Sequence, residues 1–262
     1  MRTAPPRWRF AVCVLFLAGA SSAEVISIRA DPWLPYNGVG QRKPDGYMID
    51  LAKRIAQTHG HSVNYNNMPW DDAIAAVRKG EYDCVVGAAK DDAPDFAFPS
   101  ESWGKSSNAF WGIAESSWRF TGLDSLQDIR LLVLEGYSYS ESLDAYIEEH
   151  ANDGKVVTIN PIRRAANTAI SNLVARKAEV FVEDVNVMQQ TLRGMQMEDR
   201  VINLGALDEL TDVYIACTPA KPRGAEFAQM FSEGIKALRK SGELQKILDG
   251  YGLSDWQESA SP

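Results

Sequence analysis

The chain has 262 residues, 27 Lys and Arg against 35 Asp and Glu for a net charge of −8, and 45% hydrophobic residues. That composition belongs to a folded globular protein long enough for two modest domains, and it excludes intrinsic disorder. The acidic balance argues against nucleic acid as a partner, because a negative surface repels phosphates.

At the N-terminus Arg2, Arg7 and Arg9 precede the apolar run 10–20, and Ser21, Ser22 and Ala23 supply small residues at a cleavage point. This is the pattern of a secretory signal peptide, so residues 1–23 are expected to be removed and the mature chain to begin near Glu24. Losing three arginines moves the net charge to about −11. The apolar run is about half the ~20 residues a membrane-spanning helix requires, and no second long apolar stretch follows. A periplasmic protein, exported and soluble, is expected. Cys13 lies inside the run and leaves with it, so a lipid-anchored cysteine is not supported. Cys84 and Cys217 remain, both inside apolar stretches and far from the density of a disulfide-stapled scaffold. One disulfide between them is open, but two buried thiols are the favoured reading.

In chain order, residues 25–29 alternate as a strand and end in the turn-rich ADPWLPYNG, residues 30–38. Met48, Leu51, Ala52 and Ile55 recur at helical spacing before Gly60, and Ile74 and Val77 mark a second helix that Asp71 or Asp72 can cap before Gly80. Residues 82–86 form a short buried strand. Strands alternating with helices argue for parallel α/β architecture.

A weak internal echo links AIAAVRKGEYDCVVG at 73–87 with AISNLVARKAEVFVED at 169–184, as two similar lobes would produce. Between them, 131–134 reads as a strand opening into EGYSYSES. Helix N-termini present free N–H groups to polar ligands there, although Ser is equally a plain helix cap. Residues 213–217 form a late strand, followed by a helix with Phe227, Phe231, Ile235 and Leu238 on one face and a short one through Leu244, Ile247 and Leu248.

In open α/β sheets, ligands sit at the carboxyl ends of the strands. The residues there are Trp33 and Tyr36, Trp70, the loop 90–92, residues 137–140, and Glu183 with Asp184. Aromatic faces attract cations and a carboxylate pairs with an ammonium, while core packing is the competing role for Trp33, Tyr36 and Trp70.

The segments DPWLPYN, DGYMIDLAKRIA, AIAAVRKGEYDCVVG, DSLQDIRLLVLEGYS and ALRKSGELQKILDGYG resemble, in type and order, those of periplasmic solute-binding proteins of family 3, the polar amino acid ABC transporter substrate-binding type. The resemblance implies the type 2 (class II) periplasmic-binding fold: α/β, two-lobed, with two hinge-crossing strands near 108–114 and 211–217. Lobe I would comprise 24–108 and 216–262, and lobe II 109–215.

It also implies roles. Trp33, Tyr36 and Trp70 fall where aromatics face the solute, Asp184 matches the acid that receives an α-ammonium, and Ser138 and Tyr139 match positions whose backbone N–H groups help hold a carboxylate. The chain departs from the pattern in VVGAAKDDAPDFAFPSESW, 85–103, where the family's carboxylate-gripping Arg is replaced: aligning Phe98 on the family aromatic puts Asp92 in its place. Lys90 is the loop's own cation and Lys105 the next, so either a Lys substitutes or no α-carboxylate is bound.

The function so implied is capture of a small polar, amine-bearing solute for an ABC transporter permease, by a monomer without cofactor, metal or nucleic acid. A sensory subunit docking on a separate membrane receptor is the alternative. A third reading is a dehydratase-like enzyme, in which Glu183, Asp184 and Lys90 would do acid–base work. No Ser–His constellation supports catalysis, and His59 and His61 beside Gly60 fall short of the three or four ligands a metal usually takes. N-terminal sequencing of exported material should read from Glu24 or close to it; a first residue at Met1 would overturn the signal-peptide expectation.

Overall fold

The computed structural model describes residues 23–160 and 164–257. The signal peptide, apart from Ala23, lies outside the described residues. The chain builds β1 (Val25–Ala30), α1 (Tyr47–Thr58), β2 (Ser62–Asn67), α2 (Trp70–Arg78) and β3 (Cys84–Ala88), then the short β4 (Gly104–Ser106) and β5 (Asn108–Ile113). A 3-10 turn at Leu123–Leu126 leads to β6 (Leu131–Leu134), α3 (Glu141–Glu149), β7 (Val156–Ile159), α4 (Ala165–Val174), β8 (Val180–Asp184), α5 (Val185–Met195) and β9 (Val201–Ala206). The described chain finishes with β10 (Thr211–Cys217), α6 (Pro222–Ser241) and α7 (Glu243–Asp249).

Two five-stranded mixed sheets result, ordered β2-β1-β3-β10-β4 and β7-β6-β8-β5-β9. Each has three parallel strands continued by two antiparallel ones. The internal echo has a topological basis, because α2–β3 and α4–β8 are equivalent units whose strands take the third place in their sheets.

Helix periodicity translates directly into packing. Met48, Ile49, Leu51, Ala52, Ile55 and Ala56 bury one face of α1, and Phe227, Phe231, Ile235 and Leu238 bury one face of α6. These helices and α7 pack together beside the first sheet. Pro222 starts α6 and Gly242 (φ 74°) ends it, the usual asymmetry of helix ends. Helix α2 begins two or three residues earlier than a cap at Asp71 or Asp72 implies: Pro69 takes the cap position, and Asp71 and Asp72 lie in the first turn, where they complement the helix dipole.

The crossings between sheets differ from expectation. Residues 108–114 and 211–217 were expected to cross, yet β5 lies wholly in the second sheet and β10 wholly in the first. The chain passes between sheets at Ser107 and at 207–210, so the return falls before Thr211 rather than at 216. The two passages run side by side: Leu207 N donates to Asn108 O at 2.9 Å, and Thr211 lies opposite Ser106. Strand hydrophobicity spans both stretches and carries no mark of the point where the partner sheet changes.

The cysteines also differ. Cys84 and Cys217 form a disulfide, with Cα atoms 4.0 Å apart, rather than two separate thiols. They are register partners on adjacent antiparallel β3 and β10, both fully buried, and that adjacency is invisible in a sequence separation of 133. A crosslink closing so long a loop stabilises a domain by about 2–5 kcal/mol. At ~2–4 °C per kcal/mol for a chain of this size, the Cys84→Ala/Cys217→Ala double variant should melt roughly 4–20 °C below the oxidised parent; an unchanged melting temperature would contradict the assigned pairing.

Candidate functional site

The loop after β1 is held by the helix that follows it. The first amides of α1 are free of intrahelical partners, and Tyr47 N and Met48 N donate to the carbonyls of Pro35 and Tyr36 at 2.9 and 3.0 Å. Gly46 permits this approach: its φ is 92°, and a Cβ there would sit 2.4 Å from Asn37 Cα. Trp33 and Asn37 exchange backbone hydrogen bonds of 2.7 and 3.0 Å, and the Trp33 and Tyr36 rings stack with centroids 4.0 Å apart. The sequence ADPWLPYNG thus becomes a rigid aromatic shelf at the carboxyl edge of the first sheet.

That shelf is tied to the second sheet through Asp184. Oδ1 caps α5, accepting from Asn186 N at 2.8 Å and Val187 N at 3.0 Å. Oδ2 accepts from Ser106 Oγ at 2.9 Å and Ser107 N at 3.1 Å, and the Tyr36 hydroxyl lies 3.0 Å away. Asn186 Nδ2 donates to that hydroxyl at 3.0 Å, orienting it. Asp184 is fully buried; burial raises its pKa, and the amide and hydroxyl donors oppose the rise.

Between the two sheets lies a cavity of about 380 Å³. Trp33 and Trp70 line it from the first sheet's loops, Tyr137, Ser138 and Tyr139 from the loop after β6, and Glu183 from the end of β8. Two contacts span it: Tyr137 OH donates to Asp31 Oδ2 at 2.6 Å, and Trp33 Nε1 approaches Glu183 Oε1 at 3.4 Å. Burial pushes the Glu183 carboxyl up to about 8, against the hydrogen bonds from Asp184 N and Trp33. Burial likewise raises Asp31 to about 6, with the Tyr137 hydroxyl opposing.

Of the residues singled out in the sequence, Trp33, Trp70, Asp92, Ser138 and Tyr139 border this cavity, whereas Tyr36, Lys90 and Asp184 do not. Tyr36 is buried beneath Trp33 and works through Asp184. Lys90 is exposed, its Nζ 5.3 Å from the centre of the Tyr214 ring, and it does not line the cavity. Asp184 has both oxygens committed, and the carboxylate that faces the cavity is its neighbour Glu183. Asp immediately before a helix is a standard capping signal, and α5 begins at Val185; that signal identifies Asp184 as the cap and leaves Glu183 for the cleft. Tyr137, within the stretch 137–140 picked out at a strand end, also lines the cavity, whereas sequence reading did not single out Asp31 and Asn37. All three sit in turn-rich loops after strands, the place where ligands gather. The Ser140 side chain caps α3, accepting from Leu143 N at 3.2 Å, which is the plain reading of that serine. Among the described residues no group of three or more His, Cys, Asp or Glu has metal-binding geometry.

Residues 26–94 match the model of bacterial extracellular solute-binding proteins, family 3. The fold matches solved structures along most of the chain. A histidine kinase sensor domain with similarity to periplasmic binding proteins superposes with TM-score 0.71 at 20% identity, over 87% of this chain and 95% of that one. A mutant of ArgBP from T. maritima does so with TM-score 0.69 at 17% identity, over 87% and 94%. The amino acid ABC transporter substrate-binding protein AbpA from Streptococcus pneumoniae, bound to L-arginine, gives TM-score 0.68 at 16% identity, over 87% and 94%. No curated protein matches the chain. The family resemblance is met by the family model over those residues, and the architecture is the two-lobed α/β fold of periplasmic binding proteins.

The raised Glu183 and Asp31 carboxyls fix the sign of a pH dependence. The folded chain keeps protons that the unfolded chain has released, so their stabilisation is complete below the ordinary carboxylate range and is lost as pH rises through about 6 for Asp31 and about 8 for Glu183. At ~1.4 kcal/mol per pH unit for one proton, the ligand-free protein should lose a few kcal/mol between pH 5 and 8, and Glu183→Gln should flatten most of that slope in denaturant titrations. Asp184→Ala should instead lower stability across the whole range, because it strips the α5 cap and the shared acceptor of Tyr36 and Ser106. A pH slope in Glu183→Gln equal to that of the parent would contradict the assignment.

Proposed function

We propose that this protein is a periplasmic receptor that captures a small polar, amine-bearing solute between its two lobes and presents it to an ABC transporter. The observation that carries the reading is the cavity between the sheets, walled by Trp33, Trp70 and Tyr137 and floored by Glu183 and Asp31. Aromatic faces and buried carboxylates are the two groups that stabilise a desolvated organic cation. Because Asp31 and Glu183 meet donors from the opposite lobe, a solute bound to both would hold the lobes together, and the closed form is what a membrane partner would recognise. Delivery to a separate receptor is the second reading, favoured by the likeness to a kinase sensor domain; it uses the same cavity and differs only in what docks.

A ligand at a hundred times its dissociation constant stabilises the folded state by about 2.7 kcal/mol. At ~2–4 °C per kcal/mol, a library of amines, amino acids, sugars and organic acids should therefore contain compounds raising the melting temperature by about 5–11 °C, and the amines should be among them. Trp33→Ala should weaken the best of these by roughly 10- to 30-fold, because a desolvated cation–π contact is worth about 2 kcal/mol. A library in which only organic acids or sugars stabilise would overturn the amine reading, and turnover of a compound under the same conditions would favour the dehydratase-like alternative.

A further inference from the structure

We infer that the solute is an organic cation lacking a carboxylate, a decarboxylated amine or guanidine rather than an amino acid. The inference rests on the amine-binding reading above and narrows it.

Six of the residues around the cavity are acidic, Asp31, Asp91, Asp92, Glu141, Glu183 and Glu209, and none of the described lining residues is Lys, Arg or His. None of the six pairs with a basic side chain among the described residues. A carboxylate entering this space would find no basic side chain to pair with in a partly desolvated site, where such pairing counts most.

Several donors on the loops that border the cavity are engaged by carboxylates of the chain itself. In the second lobe, Asp144 Oδ1 accepts from Tyr139 N at 2.9 Å and its Oδ2 from Ser138 Oγ at 2.6 Å. In the first lobe, Asp92 Oδ2 accepts from Ala89 N at 2.8 Å. Two internal carboxylates thus sit on the loop amides and hydroxyl of both lobes, and Asp92 stands where a guanidinium would otherwise be expected.

An independent observation gives the complementary half. Asn37 borders the cavity, is 1% exposed, and has an Oδ1 without a partner. Its orientation is fixed, because Nδ2 donates to the Asp31 carbonyl at 2.5 Å and a carbonyl can only accept. The unpaired oxygen lies 3.5 Å from the point where a Cβ of Gly87 would stand, and Trp33 Cε3 lies 3.4 Å from it. Gly87, at φ 89°, therefore leaves open a place where a buried acceptor meets an aromatic face. A buried acceptor left unsatisfied is costly, and an ammonium or guanidinium N–H satisfies it, whereas a carboxylate offers it nothing.

The test uses matched probes that differ only in the carboxylate, titrated calorimetrically into the mature protein: agmatine against arginine, and cadaverine against lysine. The decarboxylated member of at least one pair should bind about tenfold more tightly or better, a difference of ~1.4 kcal/mol. Asp144→Asn, which removes the internal charge without removing the Ser140 cap of α3, should narrow the gap by admitting the amino acid more readily. Arginine and lysine each binding as tightly as its partner would overturn the exclusion of a carboxylate while leaving the amine-receptor reading standing. Failure of all four probes, with an acid or neutral solute binding in their place, would overturn both.

Discussion

One carboxylate joins the two halves of this molecule. Asp184 gathers a tyrosine from the shelf after β1, a serine hydroxyl and an amide from the first crossing, and the first two free amides of α5. Each donor belongs to a segment with a different task, so the position of the aromatic shelf, the path of the chain between sheets and the direction of α5 are set together. A buried acid so surrounded stabilises through its hydrogen bonds what it would otherwise cost in lost hydration, and its removal leaves several donors unpaired at once. The site is built on this point, because Glu183 is placed by being the residue next to it.

The floor of the cavity has the opposite character. Asp31 and Glu183 each meet a single neutral donor from the other lobe, a phenol and an indole, which is far less compensation than Asp184 receives. Burial raises all three carboxyls, and most visibly Glu183, to about 8. Acidic groups are thus concentrated where no basic side chain balances them, and the aromatic rings around them add faces that favour a cation. Internal carboxylates on the loop amides act in the same sense, since they leave the space short of donors and rich in acceptors.

Much of the fold was legible in the residues. The 3.6-residue spacing in α1 and α6, the strands flanked by Gly and Asp, and the repeated helix–strand unit all report local packing, and local packing is what sequence periodicity encodes. The cysteine pairing and the crossing points were not legible in the same way. Each depends on which strand lies beside which, and neighbouring residues in the chain do not carry that information. Of the aromatic positions, Trp33 and Trp70 reach the cavity, while Tyr36 lies beneath the shelf with its hydroxyl 3.0 Å from Asp184 Oδ2.

The bond between Cys84 and Cys217 makes the chain from one cysteine to the other a closed ring that contains every strand of the second sheet. The ring is fastened where β3 meets β10, so β10 cannot slide along its neighbour without breaking a covalent bond, and a slip of one residue would turn Tyr214 and Ile215 to opposite faces. Both cysteines belong to the first sheet, so the bond fixes the register of β3 against β10 within that half alone. A cut anywhere inside the ring would leave both fragments attached through the bond in the first sheet.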